Sequence, residues 1–87
     1  MKICAVIVSF NSDKVFRCYE SVKEQVDFVI IADNATSDES IIARLKNLSD
    51  GGGKLRLVFS SENLGIAWAL NQGAKYAKEK NCDWLLT

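Results

Sequence analysis

Residues 28–38 read FVIIADNATSD: five apolar residues, three of them β-branched, stop at an acid and an amide and give way to small polar residues. An apolar run this short, without alternation, suits a strand covered on both faces. Such strands belong to parallel sheets whose carboxyl edge carries the ligand-binding loops. Asp33 then stands where a buried strand delivers a polar group to that edge. The rest of the chain keeps the same rhythm. Residues 2–8 (KICAVIV) form a second apolar run, and residues 55–59 (LRLVF) a third, broken by Arg56 as an edge strand would be. Residues 83–87 (DWLLT) begin a fourth.

Amphipathic segments separate these runs. Residues 13–25 place Val15, Cys18, Tyr19 and Val22 at helical spacing, with Lys14, Arg17, Glu20, Lys23 and Glu24 elsewhere. A second helix starts near Thr36, whose spacing to Glu39 is that of a capping box, with Ser37 and Asp38 as the other candidate caps. Ile41, Ile42, Leu45 and Leu48 give it one stripe. Residues 49–53 (SDGGG) read as a flexible turn and not a phosphate loop, since no Lys-Ser/Thr pair follows. Residues 66–80 form a third helix with Ala67, Leu70, Ala74 and Ala77 on one face, small enough to bring it close to the sheet. The order βαβαβαβ, with right-handed crossovers, predicts an α/β fold: a three-layer, doubly wound parallel sheet with helices on both faces.

Eighty-seven residues allow one domain, burying about 60–65% of its unfolded surface. At 48% hydrophobic and 25% charged the chain is globular, and its net charge of zero gives no basic face for nucleic acid. Cys4, Cys18 and Cys82 have neither CxxC spacing nor histidine partners, so free thiols in a reducing, cytoplasmic setting are expected rather than a disulfide framework or a zinc site. The run Ile3–Val8 is too short for a secretion signal, and no stretch reaches transmembrane length. A chain that stops inside an apolar strand is expected to be a piece of a longer protein, a minimal self-standing domain being the other reading.

Three loops should meet at the carboxyl edge: 9–12, 33–37 and 60–65. They hold amides, hydroxyls and acids but no nucleophile–base pair, a profile suited to binding a base and a ribose. Asp33 can accept from an imide N–H or from ribose hydroxyls, or else form an Asp-Asn turn capping the next helix. Phe10 can stack on a base or plug the core. Asn11 can cap the first helix or orient a ligand. Asn63-Leu64-Gly65 can present helix N–H groups to an anion, or be a tight turn. Asn71 and Gly73 are locally unfavourable inside a helix and point to a polar contact or close packing. Trp68 lies off the small-residue stripe, covering a further part of the protein or standing half exposed. The absence of GxGxxG, Walker and histidine-bearing motifs excludes a dinucleotide site, a P-loop and most triads.

The set AVIVSFNS, VIIADNATSDES and SSENLGIAWALNQGA resembles the amino-terminal half of family 2 glycosyltransferases, and the third segment is most similar to their bacterial rhamnosyltransferase branch. The resemblance covers nearly the whole chain. It implies a Rossmann-like half of a GT-A fold with strand order 3-2-1-4, forming a single nucleotide-sugar-binding subdomain over residues 1–87. It implies a dTDP- or UDP-sugar donor, with Val8, Ser9, Phe10 and Asn11 around the base, Asp33 at it, Asn34 among the nucleotide-sugar-binding residues, and Asn63, Gly65 and Asn71 lining the nucleoside and diphosphate side. In the family a DXD-type motif after the fourth strand holds Mg2+ or Mn2+, and a catalytic base lies further on. Neither is carried over here, so no catalytic residue and no metal ligand is assigned. The full-length parent would then transfer a sugar with inversion to a glycan or lipid-linked acceptor in cell-surface polysaccharide synthesis, at the cytoplasmic face of the membrane. This chain alone is expected to be inactive. The competing reading is a non-catalytic α/β domain that self-associates through an exposed sheet edge.

Overall fold

A computed structural model describes residues 1–48 and 52–87. In chain order the elements are β1 (Ile3–Ser9), α1 (Lys14–Val22), β2 (Phe28–Asn34), α2 (Glu39–Lys46), β3 (Leu55–Ser60), α3 (Gly65–Glu79) and β4 (Trp84–Leu86). The strands form one parallel sheet in the order β3-β2-β1-β4, as the resemblance implies. Part of the turn expected at 49–53 lies outside the described residues.

Handedness explains the layers. The chain moves outward from β1 through α1, β2 and α2 to β3, so both helices lie on one face. It then crosses back through α3 to β4 on the far side of β1, which puts α3 on the other face. Strand alternation divides the core accordingly. Ala5, Ile7, Val29 and Ile31 pack with Val15 and Tyr19 of α1 and Ile41 and Leu45 of α2. Cys4, Val6 and Ile30 pack with Tyr76 and Ala77 of α3.

The strands run further than their apolar stretches. β1 continues through Ser9 and β2 through Asn34, in the register Ser9↔Asp33 and Asn34↔Ser60. Backbone pairing is indifferent to side-chain polarity, so the ladder carries polar residues out to the edge. Asp33 and Asn34 are therefore strand residues, not loop residues.

Two helix faces differ from expectation. On α1, Cys18 is exposed. Phe16 packs against the core instead, with the Arg44 guanidinium 3.9 Å from its ring centre. On α3 the buried residues are Ala69, Gly73, Tyr76 and Ala77, while Ala67 and Ala74 are exposed. Alanine is indifferent to burial. The orientation is set by Tyr76, whose ring stands edge-on to Phe28 at 6.1 Å, and by Gly73, which lies directly over Val6. The glycine thus serves close packing, against a strand of the sheet. Trp68 is half-buried.

Candidate functional site

The carboxyl ends of β1, β2 and β3 stop almost level, and Ser9, Asp33 and Phe59 occupy one row across the sheet. β4 stops earlier, with Leu86 opposite Ala5. The strand order reverses between β1 and β4, the position at which open α/β sheets receive ligands.

Asp33 is 2% exposed and faces the α1/α2 side. One carboxylate oxygen accepts from the Thr36 backbone N–H at 2.9 Å, and the other from the Thr36 hydroxyl at 2.5 Å. The Thr36 oxygen in turn accepts from the Asn11 backbone N–H at 2.9 Å. Asn11 returns the contact: its Oδ1 accepts from the N–H groups of Ser37 at 2.8 Å and Asp38 at 3.1 Å. Asn11 thus joins the loop after β1 to the loop after β2 and does not cap α1, whose N-cap Asp13 makes no side-chain cap bond. Asp38 caps α2, accepting from the N–H groups of Ser40 and Ile41. Those bonds and the Ser40 hydroxyl hold its carboxyl below the usual range, the hydroxyl contributing most. Thr36, a candidate cap by sequence, is instead the relay between Asp33 and Asn11. Between them Ala35 sits at φ +66°, a left-handed backbone that costs a Cβ-bearing residue about 1–2 kcal/mol.

Asn34, the next residue, points by alternation to the α3 side and is 3% exposed. Its Oδ1 accepts from the Leu64 N–H and its Nδ2 donates to the Gly65 carbonyl, each at 3.0 Å. Gly65 needs its missing side chain here, at φ +85°. Asn63 closes the same turn by accepting from the Gly65 N–H at 3.0 Å.

Other groups stay open. Val8 near the end of β1 is 39% exposed and Phe10 50%, so Phe10 does not plug the core. Asn63 is exposed. Ser9 is the reverse: 2% exposed, with an Oγ that has no partner among the described residues. Asn71 is exposed on α3, about 9 Å along the helix from Gly65 at the usual rise per residue. A cleft of about 360 Å³ lies between the α1 and α2 starts, lined by Asn11, Ser12, Asp13, Asp38, Ser40, Ile41 and Arg44; it includes neither Phe10, Asp33 nor Asn63.

A family model, Glycosyl transferase family 2, matches residues 4–87. The chain belongs to that family. No curated protein and no solved structure matches it. The four-stranded parallel sheet in the order 3-2-1-4 is the Rossmann-like arrangement of a GT-A half, so family match and fold agree. The family implies a glycosyltransferase parent. Among the described residues of this family 2 chain, no helix is long and apolar enough to cross a membrane. The Mg2+ or Mn2+ expected of the full-length enzyme does not fit the residues present. No three Asp, Glu, Cys or His side chains among those described could hold an ion together. Asp33 and Asp38 are both engaged by donors of their own loop.

Proposed function

We propose that this chain is the nucleotide-diphospho-sugar-binding part of an inverting glycosyltransferase. The observation that carries the reading is the edge itself. Three loops of a family 2 sheet are bound to one another by Asn11, Thr36 and Asn34, and they leave Val8 and Phe10 exposed at the point where the strand order reverses. A flat apolar ring beside a rigid set of amides suits a nucleobase and ribose. In this reading Phe10 stacks on the base, Asp33 sets the loop beside it through Thr36, and Asn63 with Gly65 lies toward the diphosphate. Asn71 belongs to the site only if the ligand extends along α3.

The finer identity is proposed on the resemblance of SSENLGIAWALNQGA to bacterial rhamnosyltransferases. It comprises a dTDP- or UDP-sugar donor, a glycan or lipid-linked acceptor, and cytoplasmic polysaccharide synthesis. Metal ligands and the base would come from elsewhere in the parent, so this chain alone is proposed to bind without turnover.

The test is a titration with UDP and dTDP, with and without Mn2+, followed by backbone NMR. The expected result is a set of shifts concentrated at Phe10, Asp33 and Asn63. No shift at millimolar nucleotide, with or without the metal, overturns the reading for this chain. A second reading, self-association through the sheet edge, is favoured by one observation. β4 is an edge strand, and Trp84 and Leu86 on it are 62% and 49% exposed. Sedimentation velocity should then show a dimer; a monomer at all concentrations removes it.

A further inference from the structure

We propose that Asn34 is a positioning residue: its side-chain amide acts as an extra rung of the sheet and fixes where the first turn of α3 stands relative to the end of β2. The proposal rests on reading the carboxyl edge as a nucleotide site. The last backbone register of the β2–β3 pair is Asn34↔Ser60, beyond which the chain leaves the sheet. The Asn34 side chain reaches over that end to bind a turn 30 residues away. It uses an acceptor for the Leu64 N–H and a donor for the Gly65 carbonyl. A primary amide is the side chain that offers both at the spacing of a peptide group. Two bonds to adjacent residues set the position and the orientation of the turn, whereas one would leave it free to swing.

The placement also accounts for the dipeptide. Asp33 and Asn34 point to opposite faces of the sheet. Asp33 holds the loops on the α1/α2 side through Thr36, and Asn34 holds the loop on the α3 side. One strand end therefore sets the loops on both faces of the sheet. At 3% exposure Asn34 acts on a nucleotide through Leu64 and Gly65 rather than by touching it.

The experiment compares the wild-type chain with Asn34→Ala and Asn34→Asp by NMR. Two quantities are read: hydrogen exchange of the Leu64 amide, and the dissociation constant for UDP and dTDP. In Asn34→Ala the Leu64 amide should exchange about tenfold faster or more, while Ile30 and Ile31 in the core stay protected and nucleotide binding weakens by about tenfold. Asn34→Asp supplies the conservative rescue. Ionised, it keeps the Leu64 bond but sets a negative oxygen against the Gly65 carbonyl; protonated, it regains the donor. Its affinity relative to wild type should therefore recover as pH falls from about 8 to about 5. A purely structural role would make the stability of Asn34→Asp depend on pH in the same way but leave its affinity relative to wild type flat. A Leu64 amide that is equally protected with and without Asn34 overturns the positioning. Lost protection with unchanged affinity overturns its bearing on the site. If the wild-type chain binds no nucleotide, the nucleotide reading fails, and Leu64 exchange still decides whether Asn34 positions α3.

Discussion

Gly73→Ala measures how closely α3 lies on the sheet. In a free helix the change is favourable by about 1 kcal/mol. Here the new Cβ would stand 2.8 Å from the Val6 Cβ, 2.9 Å from its Cγ2 and 3.3 Å from its Cγ1. Carbon atoms rest at about 3.5–4.0 Å, so the overlap is about 0.7 Å or more. Val6 cannot yield: it is β-branched, 5% exposed, and carried by a strand paired on both sides. α3 must move instead, loosening Tyr76 and Ala77. Overpacking of this kind costs about 1–3 kcal/mol, and contact with three atoms of a fixed side chain places it toward the upper end. After the helix gain, a net loss of about 1–2 kcal/mol is expected, a fall in Tm of roughly 4–16 °C for a domain of this size. Urea unfolding followed by circular dichroism reads the first quantity and thermal melting the second. Val6→Ala removes two of the three contacts, so in that background the penalty should shrink by about 1 kcal/mol. A Gly73→Ala chain as stable as wild type, or losses that simply add in the double variant, would refute the close approach.

Four further outcomes are expected. Thr36→Val removes the acceptor of Asn11 and a donor to Asp33 and should cost about 1–3 kcal/mol in urea unfolding, whereas Thr36→Ser should keep most of it. Ala35→Gly relieves the left-handed backbone and should raise stability by about 0.5–1 kcal/mol in the same assay. The Asp38 carboxyl has a lowered pKa in the fold, so its contribution is present above the usual carboxylate value and is lost as pH falls through the folded one. Acid titration by NMR should show the α2 start fraying first, and Asp38→Asn should remove that pH dependence. Burial, with Cys82 beside it, pushes the Cys4 thiol from 9.0 up to about 11, so stability tied to it is present below 9 and falls as pH rises toward 11. Alkylation near neutral pH, read by mass spectrometry, should then modify exposed Cys18 first and Cys4 only on unfolding; early labelling of Cys4 would contradict its burial.

The sequence alone carried the element order, the parallel sheet and its layers. The first two strands announced themselves as unalternating apolar runs, the third as a run broken by Arg56, and each helix as a stripe. The handedness of crossovers then leaves little freedom. It also located the edge, because the apolar runs end together in Asp33-Asn34, Ser9–Asn11 and Asn63–Gly65. Three things were not legible. The length of the strands was hidden because backbone ladders do not depend on side-chain polarity, so Ser9, Asp33 and Asn34 read as loop. The face of α3 was hidden because alanines mark no side, and Gly73 and Tyr76 reveal one only against Val6 and Phe28. The partners of Asn11 and Asn34 were hidden most completely. Their amides bind backbone groups 26 to 31 residues away, and any backbone N–H or carbonyl carries the same donor or acceptor whatever its side chain. Such bonds leave no pattern in the chain, and only the fold brings the two ends together.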